Sequence, residues 1–487
     1  MELSGALSTP LEASRPDPPA AGGGDPLARV FLAAAVLLGL LRFVALGRWS
    51  LWLDEAFTLA DAPHAGEHPI NPLGYWLFDV FYGFAGDRPD EWWMRLPAAV
   101  CGLGSILATA WALRPFVGAR AASLGAFFVS ASAWHLYWSQ NARFYTLAQL
   151  LALLGGGLLL RGLYGASHRR TLLGLALLAA APLAHPSAAL LGAPLLFLPW
   201  IARWLEWVPE EAAEDRSWST LSTASFVAIL IGLGWAIRVF MTHDSQKGAG
   251  DPLHFVKTSG YLITPTLGLA CAAGLWRSRR QREVFVPLYA TALLFLAAGL
   301  VSCFARVSAQ YVFVALPWVA AVAGLAFVPG AGEAEPPGLR RKRALLALAV
   351  ALPGLVETGL YFGPRQGDRW RWREAYAYVF EHRAPDDLVL GMDAPVAEYY
   401  LQPGSTDLRQ WTSVTWLDTY RAKLAGEWSR YRRPTWLVVN DELMNDWKPE
   451  DRAEVRRFLD EDCTLEADFP VPLTPRDLDV RVYVTRP

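Results

Sequence analysis

Charge is the first thing this 487-residue chain lacks: Asp, Glu, Lys and Arg make up only 18% of it, against about 25% in a typical soluble protein. With 53% of residues hydrophobic and a mean hydropathy of +0.22, that deficit excludes a wholly soluble globule and points to lipid. A basic surplus is also missing. The 44 Lys and Arg are matched by 46 Asp and Glu, a net charge of −2, so the concentrated basic face that nucleic acid binding requires is lacking and that partner class is set aside. Cysteine is scarce: Cys101, Cys271 and Cys303 lie in apolar runs and Cys463 stands alone, which leaves no disulfide framework. The first residues are rich in Pro, Ala and Gly and lack the basic start of a cleaved signal peptide. Residues 1–26 are therefore expected to be a disordered cytoplasmic leader, with the first apolar helix staying attached.

What charge there is gathers at the end. Residues 364–487 hold 18 Lys and Arg and 23 Asp and Glu, so the chain reads as a membrane body over 27–363 and a soluble module over 364–487. Apolar runs near the ~20 residues needed to cross hydrocarbon occur at Leu27 to Leu46, Arg95 to Leu113, Ala121 to Trp138, Phe144 to Tyr164, Thr171 to Ala184 and Ser187 to Leu205. Thr220 to Met241, Thr258 to Trp276, Val284 to Cys303, Ala309 to Val328 and Ala344 to Phe362 bring the number to eleven. With the N-terminus inside, the basic clusters all fall on the inner side: Arg114 and Arg120, Arg169 and Arg170, Arg203 and Arg216, Arg277 to Arg282, and Arg340 to Arg343. Fusing the short Thr171 to Ala184 run with its neighbour across His185 and Pro186 would turn the Arg277 cluster outward, so two helices are expected there. Pro329 to Pro337 is then an inner linker, and an odd number of spans puts the module outside. The expectation is a multi-pass plasma membrane protein with a cytoplasmic N-terminus. In the module, a helix at Trp370 to His382, strands at Asp387 to Gly391, Thr435 to Val439 and Val480 to Thr485, and a helix at Pro449 to Asp460 predict a small α/β fold.

The chemistry collects on the outer face. A long outer loop, 47–91, carries Asp54 and Glu55 among Leu51, Trp52, Leu53 and Phe57. Carboxylates in apolar surroundings tend to be desolvated, which favours a base. The aromatic stretch Asn71 to Phe84 is too short to span and is read as interfacial helix. The string YWSQNARFY, Tyr137 to Tyr145, puts Arg143 among Gln140, Asn141 and Tyr145 at the depth of lipid phosphates. Arg42 interrupts the first apolar run, His185 stands at another outer turn, and Arg306 and Gln310 are spaced to share one helix face. His64, Glu67 and His68 spell a zinc-peptidase pattern that needs a helix, and Pro63, Gly66 and Pro69 argue against one. A looser divalent-metal reading uses Glu67 and His68 with His243 and His254.

Taken together, LRFVALGRWSLWLDEAFTL, NPLGYW, RLPAAVCGL, YWSQNARFYTL and DRWRWREAYAYVFEHRAPDDLVL resemble, in order and topology, the C-type-fold (GT-C) membrane glycosyltransferases. The resemblance is to the family 39 relatives in particular, which include protein O-mannosyltransferases, aminoarabinose transferases and the RgtA/B/C/D-like group. Three positions depart from the family pattern: Asn71 replaces a common His, Asn141 a common Glu, and Gln310 an Arg, for which Arg306 one helical turn earlier is expected to substitute. The resemblance implies an all-α polytopic enzyme with a small extracytoplasmic α/β module. It would move a sugar from a polyprenyl-phosphate donor, with inversion, to a hydroxyl of a glycan, lipid or protein. Asp54 would be the base and Glu55 would orient the acceptor or a nearby cation. Arg143, with Arg306 or Arg42, would hold the donor phosphate, and Asn71, Tyr75, Gln140, Tyr145, His185 and Gln310 would line the cavity. A metal-independent step is favoured, with the metal requirement left open. A lipid transporter or flippase is the rival class, but transporters often show inverted repeats around a mid-membrane site, and this chain shows no repeat and gathers its polar groups at one face.

Overall fold

A computed structural model describes residues 25–68, 70–86, 89–204, 216–242, 250–279, 282–329, 335–385, 387–392, 394–400, 408–410, 434–444, 449–474 and 476–486. The leader to residue 24, His243 and most of the 329–337 linker lie outside them. Helix α1, Pro26–Gly39, starts where the Asp25 carboxylate accepts the Leu27 N–H at 3.0 Å and Pro26 takes the first position. It tightens into a 3₁₀ turn at Leu40–Phe43. Short helices α2, Leu53–Asp61, and α3, Pro72–Ala85, occupy the predicted outer loop. Helix α3 buries Tyr75, Phe78 and Tyr82 and leaves Trp76, Val80 and Phe84 exposed along its other side, which is the pattern expected of an interfacial helix.

Among the described residues seven helices are long and apolar enough to cross a membrane, where eleven runs were expected. Of the four runs by which the two counts differ, Thr220 to Met241 lies in the helix Arg216–Thr242, which is not among the seven, and the other three have visible causes. Helix α4, Glu91–Ala131, contains the Arg95 to Leu113 run and most of the next, broken at Gly118, whose φ of 80° only glycine adopts freely. The Thr171 to Ala184 run belongs to a 17-residue helix, α7, His168–Ala184, too short to qualify. The Thr258 to Trp276 run is cut at Ile263 and Thr264. His185, in extended backbone, does separate α7 from the segment that follows, as the charge argument required. Helices α5, Ala133–Ser139, and α6, Tyr145–Tyr164, complete the framework of the site. The second half of α4 packs on the helix Leu316–Gly324, where a Cβ on Gly125 would lie 2.7 Å from the Ala321 Cα. Such small-residue crossings bring backbones together where lipid supplies no hydrophobic drive.

Beyond the last long helix, Pro337–Phe362, the chain forms a five-stranded sheet ordered β2-β1-β3-β5-β4. Its strands are β1 Leu388–Gly391, β2 Leu408–Gln410, β3 Thr435–Val439, β4 Cys463–Phe469 and β5 Val480–Thr485. β1 pairs in parallel with β2 and β3, with Val389 opposite Trp436, and β5 runs antiparallel to β3 and β4. The helices Trp372–His382 and Pro449–Asp462 lie close to their predicted bounds.

Candidate active site

Helix α2 turns two adjacent carboxylates onto different faces, because successive residues in an α-helix are about 100° apart. Glu55 faces inward and is fully buried. Its Oε2 accepts the Trp52 N–H at 3.3 Å, tying down the start of the helix, and its Oε1 accepts the Ala142 N–H at 2.9 Å. Arg95, in the first turn of α4, meets it with two prongs, Nε to Oε1 at 2.7 Å and Nη2 to Oε2 at 2.8 Å. The other Arg95 N–H groups donate to the carbonyls of Leu46, Trp49 and Ser50 at 2.8 to 3.0 Å. Arg369, from the entry to the C-terminal module, brings its Nε to 3.8 Å from Oε2. Burial by itself pushes a carboxyl pKa up. Here the Arg95 charge and hydrogen bonds, the Arg369 charge and the Ala142 amide outweigh it, and Glu55 is held below the usual carboxylate range.

Asp54 faces the other way, with 38% of its side chain exposed. Arg143 stands beside it: Nε lies 3.7 Å from the carboxylate and Nη1 donates to the Asp54 carbonyl and the Thr58 hydroxyl at 3.3 and 3.1 Å. On the same stripe of α2 lies Asp61, which accepts from the Tyr75 hydroxyl at 3.2 Å and is 3.7 Å from His68. The His68 ring packs on Tyr75 at 4.6 Å, and Tyr75 on Phe144 at 4.7 Å. Tyr145 lies between Trp138 and His185, at 4.3 and 4.4 Å, with Tyr311 on the far side of His185. Asp54, Tyr75, Arg143, Tyr145 and His185 are thus brought together around α2 and the start of α6.

Other expected site residues have different occupations. Arg42 is fully buried and donates to the carbonyls of Leu38, Ser130 and Val129 and to the His135 ring, closing the end of α4 rather than facing Arg143. Gln140 binds the carbonyls of Leu41, Arg42 and Val44 through Nε2 and accepts the Tyr361 hydroxyl at 2.8 Å. Asn71 starts α3 with φ 63° and keeps its Oδ1 buried without a partner. Arg306 and Gln310 do not share a helix face. Extended backbone at Ser308 separates an exposed Arg306 from Gln310 on the 3₁₀ segment Ala309–Ala315, and the Arg306 charge acts on His254 instead. Glu67 turns to His64 on the surface, away from His68, in 3₁₀ and turn backbone as its prolines required. Among the described residues no three His, Cys, Asp or Glu side chains are placed to hold a metal ion.

Sequence reasoning missed three members of the cluster. Asp61 carried a signal, since Asp54, Thr58 and Asp61 repeat at helical spacing on α2. Arg95 and Arg369 lie in two of the strings that carried the resemblance, RLPAAVCGL and DRWRWREAY, but nothing local joins them to Glu55, which is remote in the chain.

No family model matches the chain, and no curated protein matches it. Solved structures do. ArnT from Cupriavidus metallidurans bound to undecaprenyl phosphate aligns with TM-score 0.53 and 15% identity over 95% of this chain and 98% of that one. The same protein in the apo state aligns with TM-score 0.53 and 16% identity over 94% and 97%. The oligosaccharyltransferase of Archaeoglobus fulgidus, tethered to an acceptor peptide, aligns at TM-score 0.41 and 12% identity over 85% of this chain and 69% of that one, too loosely to carry an argument. The likeness to ArnT shows that the fold is GT-C, that of a membrane protein.

Proposed function

We propose that the chain is an inverting glycosyltransferase that moves a sugar from a polyprenyl-phosphate donor to an acceptor hydroxyl at the outer face of the membrane. The observation that carries the reading is the pairing of an accessible carboxylate, Asp54, with the Arg143 guanidinium on the open side of α2. Asp54 takes the acceptor's proton as the acceptor oxygen bonds to the anomeric carbon. The bond from that carbon to the phosphate oxygen breaks, and its electron pair leaves on the polyprenyl phosphate. Arg143 meets the growing charge with a planar fork suited to phosphate oxygens. The departing phosphate is already a stable anion, so no protonating acid is required. Tyr75, Tyr145 and His185 line the space beside them, and the C-terminal module stands outside the membrane. Further support comes from the fold shared with ArnT, whose solved structure holds undecaprenyl phosphate.

The test is direct. The purified full chain is given a panel of polyprenyl-phosphate hexoses and pentoses together with cell-envelope glycolipids, and mass spectrometry follows released polyprenyl phosphate and the sugar-bearing product. Release dependent on both substrates is expected. Transbilayer movement of intact donor without transfer would instead identify a flippase.

A further inference from the structure

We infer that Arg369 is a positioning residue through which docking of the C-terminal module sets the orientation of α2, and so of Asp54, by way of Glu55. The catalytic half of this statement rests on the function proposed above, while the physical half does not. Arg369 is only 2% exposed. It lies over the Tyr137 ring at 4.4 Å with Trp52 at 5.9 Å, and its Nη2 reaches the Gln140 carbonyl at 3.4 Å. Its Nε and Nη1 make no hydrogen bond. A buried cation compensated this thinly is costly, and a neutral side chain would fill the space without the desolvation penalty. Among the described residues its ion pair within 4 Å is with Glu55, which Arg95 already engages with two prongs. Arg369 therefore contributes attraction between module and helix rather than saturation of Glu55.

The rest of the seam converges on the same stretch. The Arg373 amide donates to the Ser50 hydroxyl at 3.0 Å, and its guanidinium reaches the carbonyls of Gly47 and Arg48 at 3.1 and 3.2 Å as well as Glu91. The Tyr400 hydroxyl accepts the Leu51 N–H at 2.8 Å and donates to Glu91 at 3.0 Å. Residues 47–51 are thus gripped from the module side, and the first turn of α2 follows immediately. Any rotation of α2 that frees Glu55 from Arg369 turns Asp54 through the same angle.

Hydrogen–deuterium exchange of the full chain in detergent, alongside sugar-transfer kinetics, compares wild type with Arg369→Gln and Arg369→Lys. In Arg369→Gln, exchange over 49–61 is expected to rise roughly tenfold or more, the scale of one charged hydrogen-bonding partner lost. Exchange over β3 and β5 stays as in wild type, kcat falls by a similar factor and donor KM is unchanged. Arg369→Lys, which keeps the charge, recovers part of both losses. Unchanged exchange over 49–61 in Arg369→Gln would overturn the inference. So would opening of 49–61 together with β3 and β5 to the same extent in both variants, since Arg369 would then hold only the module's own fold. If exchange responds as expected while no protein, wild type included, transfers sugar, the proposed function fails and the positioning role stands.

Discussion

The inner and outer faces of α2 carry carboxylates one residue apart in opposite circumstances. Glu55 engages both prongs of Arg95, two backbone amides and the Arg369 charge, all out of water, whereas Asp54 meets one guanidinium at 3.7 Å and keeps more than a third of its side chain open. A bidentate, fully satisfied ion pair fixes geometry and has no lone pair left to take a proton from a substrate. An accessible carboxylate beside a guanidinium has both the lone pairs and the approach. Under the proposed function the contrast is a division of labour: one carboxylate of the pair holds the helix in place so that the other can meet a ligand.

Exchanging the chemistry of the two faces is the sharpest way to break this comparison. Asp54→Asn is expected to lower turnover by roughly 10² to 10⁴, the scale of a lost general base, and to leave thermal stability within about 0.5 kcal/mol, as for most exposed sites. Turnover and the thermal midpoint in detergent, measured on one preparation, decide it. Next in size, Glu55→Gln removes one partner of a buried ion pair and should destabilise the chain by about 3–5 kcal/mol. It reads out as a lowered unfolding midpoint and poorer recovery of folded protein. If Glu55→Gln unfolds at the wild-type midpoint while Asp54→Asn is destabilised, the faces have been assigned the wrong way round.

Much of this arrangement was legible in the sequence, unevenly and for physical reasons. Apolar runs located most of the long helices, and the strand Val480–Thr485 was predicted to the residue because it alternates buried and partly exposed positions beside a core strand. Its neighbour β4 was not, since an edge strand whose middle is polar and whose register shifts between Leu465 and Ala467 has no period to read. Asp54, Arg143 and Tyr75 were named from local strings expected at an outer helix end, and the structure brings them together around α2. Arg42 was misassigned for an instructive reason. An arginine inside an apolar run signals a buried demand for hydrogen bonds, and here the demand comes from the open carbonyls at the end of α4. The Glu55, Arg95 and Arg369 node depends on tertiary proximity alone.

The open face can be sharpened by separating charge from shape. Arg143→Lys keeps the charge and loses the planar fork, so donor use should fall about tenfold, the worth of one charge-assisted hydrogen bond. Arg306→Ala should leave donor kinetics unchanged, because Arg306 is exposed in coil. Equal losses in the two variants would place Arg306 at the phosphate and restore its pairing with Gln310.

The smallest expected effect belongs to the closed face and appears only as pH falls. The folded chain holds Glu55 below its ordinary pKa of 4.5, against the upward push of burial, through Arg95 and Arg369. A carboxyl with a depressed folded-state pKa contributes stability above its unfolded pKa and loses it as pH falls through the folded value. Asp25 and Glu335, held down by Arg120, run the same way. Asp368, pushed up by burial, runs in the opposite direction. The wild-type pH profile therefore mixes signs, and the difference between wild type and Glu55→Gln isolates Glu55. That difference in unfolding midpoint should be widest near neutral pH and should narrow as the pH is taken below about 4.5, where the unfolded chain takes up a proton that folded Glu55 still refuses, until at lower pH the protonated glutamic acid and the glutamine present the same neutral group to Arg95. A gap that stayed constant down to pH 3 would mean that Glu55 is not held as a carboxylate by the two arginines, and the closed face would owe its order to packing alone.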